Sequence, residues 1–277
     1  MNGEKRRFFM NTADPAAPFY IESLGFNPQQ ESVSREEGYP CFHWLQTLSG
    51  EGLLQMQDQQ ILLPSGSGIL LQPGVPHAYR LHGGEWSTYY ITFGGPQVSS
   101  IITQLGIQHS MIYQWDEQSP FHYLLEELFQ LISAKFDLTG LDHSVDLYRF
   151  FIQLKKHAHV NKQPSIHSLI ERMAPLLQWL DQHYGNPDIG THEMAASIQI
   201  SPRHLNSLFQ RAFGYTPYHY LLQLRIRKSK EFILADLGQP IKHISEKVGF
   251  RDVSHFIATF RKLEGTTPEK FRKLHSQ

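Results

Sequence analysis

Cysteine is almost missing from this sequence. Cys41 stands alone, so no disulfide can close within the chain and a reducing compartment is expected. As a nucleophile Cys41 would need a partner base, and in its context YPCFHW it reads better as a small core or strand residue. Long apolar runs are also missing. No window reaches the about 20 apolar residues of a membrane-spanning helix, and no apolar run of signal-peptide length follows the charged start MNGEKRRFFMN. A cytoplasmic protein without a membrane partner is expected. Gly-rich phosphate loops, zinc-ligand spacings and nucleophile elbows do not occur, which removes several enzyme classes. Overall charge is lacking too, with 25 Lys and Arg against 26 Asp and Glu.

The charge is nevertheless unevenly placed. Residues 1–165 carry 10 Lys and Arg against 16 Asp and Glu, whereas residues 166–277 carry 15 against 10. A basic half joined to an acidic half implies that one end meets a polyanion. From Phe42 to Phe93 short apolar runs (HWLQTL, GLLQM, QILLP, GILLQP, STYYITF) alternate with Gly, Pro, Ser and Asp, the spacing of an antiparallel barrel or sandwich. From Pro120 to about Ala158 the period becomes helical, with Leu124, Leu125, Leu128, Phe129 and Ile132, then Leu147, Phe150, Phe151 and Leu154, as two amphipathic stripes. The polar segment HVNKQPS is the linker, and IERMAPLLQWLDQHYG opens an all-helical region with Gly185 as its expected C-cap. The expected architecture is α+β and multidomain: residues 1–160 an antiparallel β-barrel with a helical pair, residues 161–277 an all-α domain.

Within the helical region one pattern is written twice. ISPRHLNSLFQRAFGYTP, from Ile200 to Pro217, and RDVSHFIATFRKLEGTTP, from Arg251 to Pro268, share His204/His255, Phe209/Phe260, Gly214/Gly265, Thr216/Thr267 and Pro217/Pro268. Such a repeat marks two copies of one supersecondary unit. In the first, Thr191 caps a short helix, and Ser201 caps a second with Pro202 at its first position. Leu205, Leu208, Phe209 and Ala212 face inward, leaving Arg203, Asn206, Ser207, Gln210 and Arg211 outward. In the second, Ile241, Ile244 and Val248 lie on the first helix, Gly249 makes the turn and Asp252 is the cap. There Phe256, Thr259 and Phe260 face inward, leaving Val253, Ser254, His255, Ala258, Arg261 and Lys262 outward. Arg, Asn and Gln side chains on such a face can read base edges, small apolar ones can meet the thymine methyl, and Arg211, Arg261 and Lys262 can hold phosphates. The bland alternative is the polar face of a packed helix. The helix between the copies, His219 to Ala235, sets them at a spacing suited to two successive major grooves of double-stranded DNA.

These motifs resemble the tandem helix-turn-helix domain of AraC/XylS-type bacterial transcription regulators: SPRHLNSLF, LRIRKSKE, VGF, SHF and TTPEKFR fall in order from about Pro187 to Lys273. The resemblance implies that Arg203, Asn206 and Ser207, then Val253, Ser254, His255 and Ala258, are the base-reading positions. Two residues depart from the family pattern. Gln199 occupies a turn where Gly or Asn is usual, and Ser245 replaces a usual Ala.

The segment LSGEGLLQMQDQQILLPSGSGILLQPGVPHAYRLHGGEWSTYYITFGG resembles the cupin-like effector-binding domain of sugar-responsive members. Carried over by position, that resemblance makes Arg35, Tyr79, Thr88 and Tyr90 effector-binding residues, with His77 and Trp86 as further candidates. Arg35 and Tyr79 keep the family's residue types, whereas Thr88 and Tyr90 replace His and Trp. A small, sugar-like effector is implied, as are a homodimer through the helical pair, contact with RNA polymerase, and activation rather than repression. No cofactor is implied. The rival is a metal-dependent cupin enzyme, since PGVPH looks like half of a metal motif. It wants converging ligands, yet His77 has no His-x-His partner upstream and His43 stands alone in FHW.

Overall fold

The computed structural model describes residues 4–10, 17–134, 141–161 and 163–276. The join between the two amphipathic helices at 135–140, and Lys162 of the polar segment, lie outside the described residues. The chain divides into two compact units, Met1–His167 and Ser168–Gln277.

In the first unit the strands are β1 (Arg6–Phe9), β2 (Tyr20–Asn27), β3 (Val33–Arg35), β4 (Phe42–Met56), β5 (Gln59–Pro64), β6 (Ser67–Leu71), β7 (His77–Gly94) and β8 (Ile112–Gln114), with helix α1 (Val98–Gln104) before β8. They form one antiparallel sheet in the order β1-β2-β7-β4-β6-β8, with β3 on β7 and β5 on β4. One expected break is absent: HWLQTL and GLLQM are the two ends of β4, which pairs along its length with the equally long β7. Register shifts at Thr47/Ser49 and Gly50/Gly52 bend this long pair where the glycines had promised turns.

Because side chains alternate across a strand, β4 sends its residues into two different cores. Leu45 joins Leu54, Met56, Leu63, Ile69, Leu71, Tyr79, Trp86 and Tyr90 in an inner cluster wrapped by the bent sheet. Phe42 and Trp44 face the opposite way, under helices α2 (Pro120–Ala134) and α3 (Leu141–His157). There Trp44 meets Tyr113, Phe121 and Phe150 at ring-centroid distances of 5.7, 6.0 and 5.5 Å. The helical stripes read from sequence are this contact: all but the half-buried Ile132 are buried, each large side chain contributing about 1.5–3 kcal/mol. Cys41 precedes β4 and is half-buried. It lies beside Tyr20, and burial raises its thiol pKa, so it is neither a core residue nor an activated thiolate.

The second unit is helical: α4 (Ile166–His183, begun in the first unit), α5 (Thr191–Ser197), α6 (Pro202–Phe213), α7 (Pro217–Ala235), α8 (Ile241–Lys247), α9 (Val253–Glu264) and α10 (Pro268–Leu274). Two expectations fail locally. Thr191 is the first helical residue rather than the cap; Gly190 takes the cap position, and the Glu193 carboxylate accepts from its N–H at 2.9 Å. Gly185 does not close α4 in a left-handed conformation, because that helix ends at His183. A Cβ at Gly185 would lie 2.9 Å from the Lys247 carbonyl oxygen, so the glycine serves close packing. Among the described residues no helix is long and apolar enough to cross a membrane.

Candidate nucleic-acid interface and effector pocket

The repeat proves to be a three-helix pattern. In each copy a short helix (α5, α8) leads through a tight turn to a longer one (α6, α9), which ends at a glycine in the left-handed region, Gly214 at φ 76° and Gly265 at φ 72°. Thr216 and Thr267 then cap α7 and α10, each with Pro first. The shared Gly-x-Thr-Pro is therefore one helix end and the next helix start. The first turns match bond for bond. Gln199 N–H donates to Ala196 and Ile200 N–H to Ala195, as Gly249 does to Glu246 and Phe250 to Ser245. Both turns need a positive φ, 56° at Gln199 and 86° at Gly249. Gln199 adopts a conformation glycine takes without strain, at a cost of about 1 kcal/mol.

Helices α6 and α9 begin alike. The Ser201 hydroxyl accepts from His204 N–H at 3.2 Å, and the Asp252 carboxylate accepts from His255 N–H at 2.7 Å. Leu205, Leu208 and Phe209 are buried in α6, and Phe256, Thr259 and Phe260 in α9. Outward lie Arg203, Asn206, Ser207, Gln210 and Arg211 on α6, and Ser254, His255, Ala258, Arg261 and Lys262 on α9, all exposed, with Val253 half-buried. Gln210 is partly engaged, donating to the Gly214 carbonyl at 3.1 Å. A shallow groove of about 670 Å³ runs along α9 between Ser254, Ala258, Arg261, Lys262 and Thr267, and includes Ile257, which the sequence reading passed over.

The link between the copies is held from beneath. Arg225, buried at mid-α7, donates through Nε to the Tyr184 carbonyl at 2.8 Å and through Nη2 to the Asn186 carbonyl at 2.7 Å. An Arg251–Asp188 ion pair ties the second turn to the loop before α5. Helix α7, at 19 residues, is about 28 Å long.

In the first unit the inner face of the sheet gathers a polar cluster. Arg35 donates from Nη1 to His43 Nδ1 at 2.8 Å and to His77 Nε2 at 3.3 Å, and its guanidinium lies 4.4 Å from the Tyr39 ring centroid. His77 stacks on Tyr79 at 6.1 Å, and His43 meets Tyr79 at 6.3 Å and Tyr90 at 5.9 Å. Arginine can only donate, so His43 carries its proton on Nε2. His77 donates from Nδ1 to the Val75 carbonyl at 2.7 Å, which leaves Nε2 as the acceptor. Burial first, and Arg35 after it, hold the His43 pKa well below the usual imidazole value; burial lowers that of His77 too. Both rings are neutral at pH 7.

The six sequence-named pocket residues thus fall into two groups. Arg35, His77, Tyr79 and Tyr90 surround His43. Trp86 is wedged edge-on against Tyr79 at 5.8 Å with its indole N–H on Thr47, and Thr88 is fully buried with its hydroxyl on Gln30. The structure adds His43 and Tyr39. The signal for His43 was its parity with Leu45 on β4, hidden while FHW was weighed only as a metal motif. Among the described residues no group of three His, Cys, Asp or Glu could hold a metal ion, and a cation beside His43 and His77 would face Arg35. A groove of about 420 Å³ is lined by Tyr79 of this cluster together with Ser34, Gln55, Ala78 and Arg80, which have the opposite parity.

Residues 20–150 match the AraC-like ligand binding domain, and residues 194–274 match a helix-turn-helix domain. The chain is 24% identical over 261 residues to an uncharacterized HTH-type transcriptional regulator, YdeC, of Bacillus subtilis, covering 86% of this chain and 88% of that one. It is 26% identical over 240 residues to the arabinose operon regulatory protein of Salmonella typhimurium, covering 82% and 81%. To the HTH-type transcriptional activator RhaS of Escherichia coli it is 22% identical over 261 residues, covering 91% and 92%.

Proposed function

We propose that this chain, which belongs to the AraC family of transcription regulators and is not an enzyme, reads two successive major grooves with one monomer under the control of a sugar-like effector. The observation that carries the reading is the duplicated, equally capped helix with an exposed polar face, on α6 and again on α9. Arg203, Asn206 and Ser207 read bases in one groove, and Val253, Ser254, His255 and Ala258 in the next. Gln210, Arg211, Arg261 and Lys262 steady the duplex through its phosphates. The effector sits against Arg35, His77, Tyr79 and Tyr90, with Trp86 and Thr88 shaping the wall behind them.

A homodimer suits the helical pair. Tyr123 and Leu131 on α2, and Val145 and Tyr148 on α3, are exposed large apolar side chains. We assign the protein to the cytoplasm and to activation through contact with RNA polymerase, in line with the activator among its relatives. For the effector to regulate, it must favour one arrangement of the DNA-bound protein over another.

Selection of bound duplexes from a random pool, with the full chain and a panel of sugars present or absent, tests the reading. The expected result is a site of two half-sites about one helical turn apart, bound less tightly as salt rises and altered by at least one sugar. Recovery of unrelated sequences, or binding indifferent to salt, would count against it.

A further inference from the structure

The polar cluster beneath the bent sheet has an imbalance of charge and of hydrogen-bonding sense. Arg35 is half-buried, and among the described residues neither it nor Arg7 is in an ion pair with a carboxylate. What Arg35 meets instead is neutral: two imidazole nitrogens and the Tyr39 ring. Arg7, exposed on β1, lies 5.5 Å from the Tyr90 ring centroid. Of the carboxylates nearby, Glu22 is engaged by the Tyr39 hydroxyl at 2.9 Å and by Thr92, and Glu31, which lies within reach of the Arg7 charge, is held by Lys5 at 2.9 Å.

Within this cluster two buried polar atoms have no partner, His43 Nε2 and the Tyr90 hydroxyl, on residues only 1% and 8% exposed. His43 Nε2 carries its proton, because Nδ1 is spent as an acceptor for Arg35. It is therefore a donor without an acceptor. Ser23 and Arg7 lie near the Tyr90 hydroxyl without completing a hydrogen bond to it. A buried donor left unpaired is costly. A guanidinium further desolvated by a bound molecule costs more unless that molecule brings opposite charge.

We infer that this cluster selects an effector bearing an oxyanion, a carboxylate or a phosphate on a hydroxylated, sugar-like body, with Arg35, Arg7 and His43 Nε2–H as its donors. The inference rests on the sugar-like reading above and narrows it. A neutral sugar can offer hydroxyl oxygens to His43 and Tyr90, but it leaves Arg35 without a counter-charge once water is displaced. A carboxylate or phosphate supplies both the acceptors and the charge.

Calorimetric titration of the full chain at fixed ionic strength, with glucose against glucuronate and galactose against galacturonate, tests this, and glucose 6-phosphate separates phosphate from carboxylate. The expected result is an acidic member at least about tenfold tighter than its neutral partner, or glucose 6-phosphate preferred over glucose by the same margin. Arg35→Gln should erase that preference. Arg7→Gln, on an exposed strand where folding is not at stake, should shrink it. Equal or tighter binding of the neutral sugars would overturn the inference and leave the sugar reading standing. No binding by any of the five would overturn both.

Discussion

The two helix-turn-helix copies share a scaffold and differ almost everywhere else. Both use a capping oxygen three residues before a histidine N–H, a left-handed glycine at the end of the exposed helix, and Thr-Pro to begin the next. Apart from His204/His255 and the cations Arg211/Lys262, what they do not share is the exposed face. Helix α6 presents long polar side chains at Arg203, Asn206 and Gln210, whereas α9 presents Val253, Ser254 and Ala258 before its cationic end. Positions that set backbone geometry are thus repeated, and positions that meet solvent are free to differ. The turns show where that rule bends. Gly249 lets the Tyr184 carbonyl come within 2.6 Å of where a Cβ would stand, whereas Gln199 tolerates the same left-handed backbone.

Exchanging the turn residues should break the symmetry most strongly. Gly249→Gln forces a Cβ against Tyr184 and Arg225 and imposes the positive φ on a side chain, so a loss of about 3 kcal/mol is expected in urea melting. A loss below about 1 kcal/mol would mean that the turn relaxes freely. Removing the caps should weaken both copies alike: Ser201→Ala and Asp252→Ala should each cost about 1 kcal/mol, and a cost confined to one would show that the second helix start is held by packing. The reverse turn exchange, Gln199→Gly, should stabilise by about 1 kcal/mol. Ser245, whose buried hydroxyl has no partner where the first copy has Ala195, should give a gain of about 1 kcal/mol or less as Ser245→Ala. Destabilisation in that variant would point to a bonding role for the hydroxyl.

The features legible in the sequence were those with a local cause. Ser201, Pro202 and Asp252 act within one turn of backbone, and the stripes on α2, α3, α6 and α9 follow from the helical period alone. Gly185 and Thr191 were misread because their roles depend on neighbours distant in sequence or on one further residue: the Lys247 carbonyl in one case, Gly190 in the other. The same limit applies to the pocket. Arg35 and His77 face each other across β3 and β7, whereas His43, whose face is set by its parity with Leu45, lies across the β4 register shifts from Met56, the partner of His77. The bend at those shifts is a tertiary event, and no short stretch encodes it.

The central claim is that both copies read DNA, one groove each. Footprinting Arg203→Ala and His255→Ala on the same selected operator tests it directly, together with an operator carrying five extra base pairs between the half-sites. The account predicts that each variant loses about 1–3 kcal/mol of discrimination, at base pairs about one helical turn apart, and that the insertion abolishes specific binding by turning one groove away. Loss of contacts at the same base pairs in both variants, or an insertion without effect, would mean that one copy reads DNA and the other only supports it.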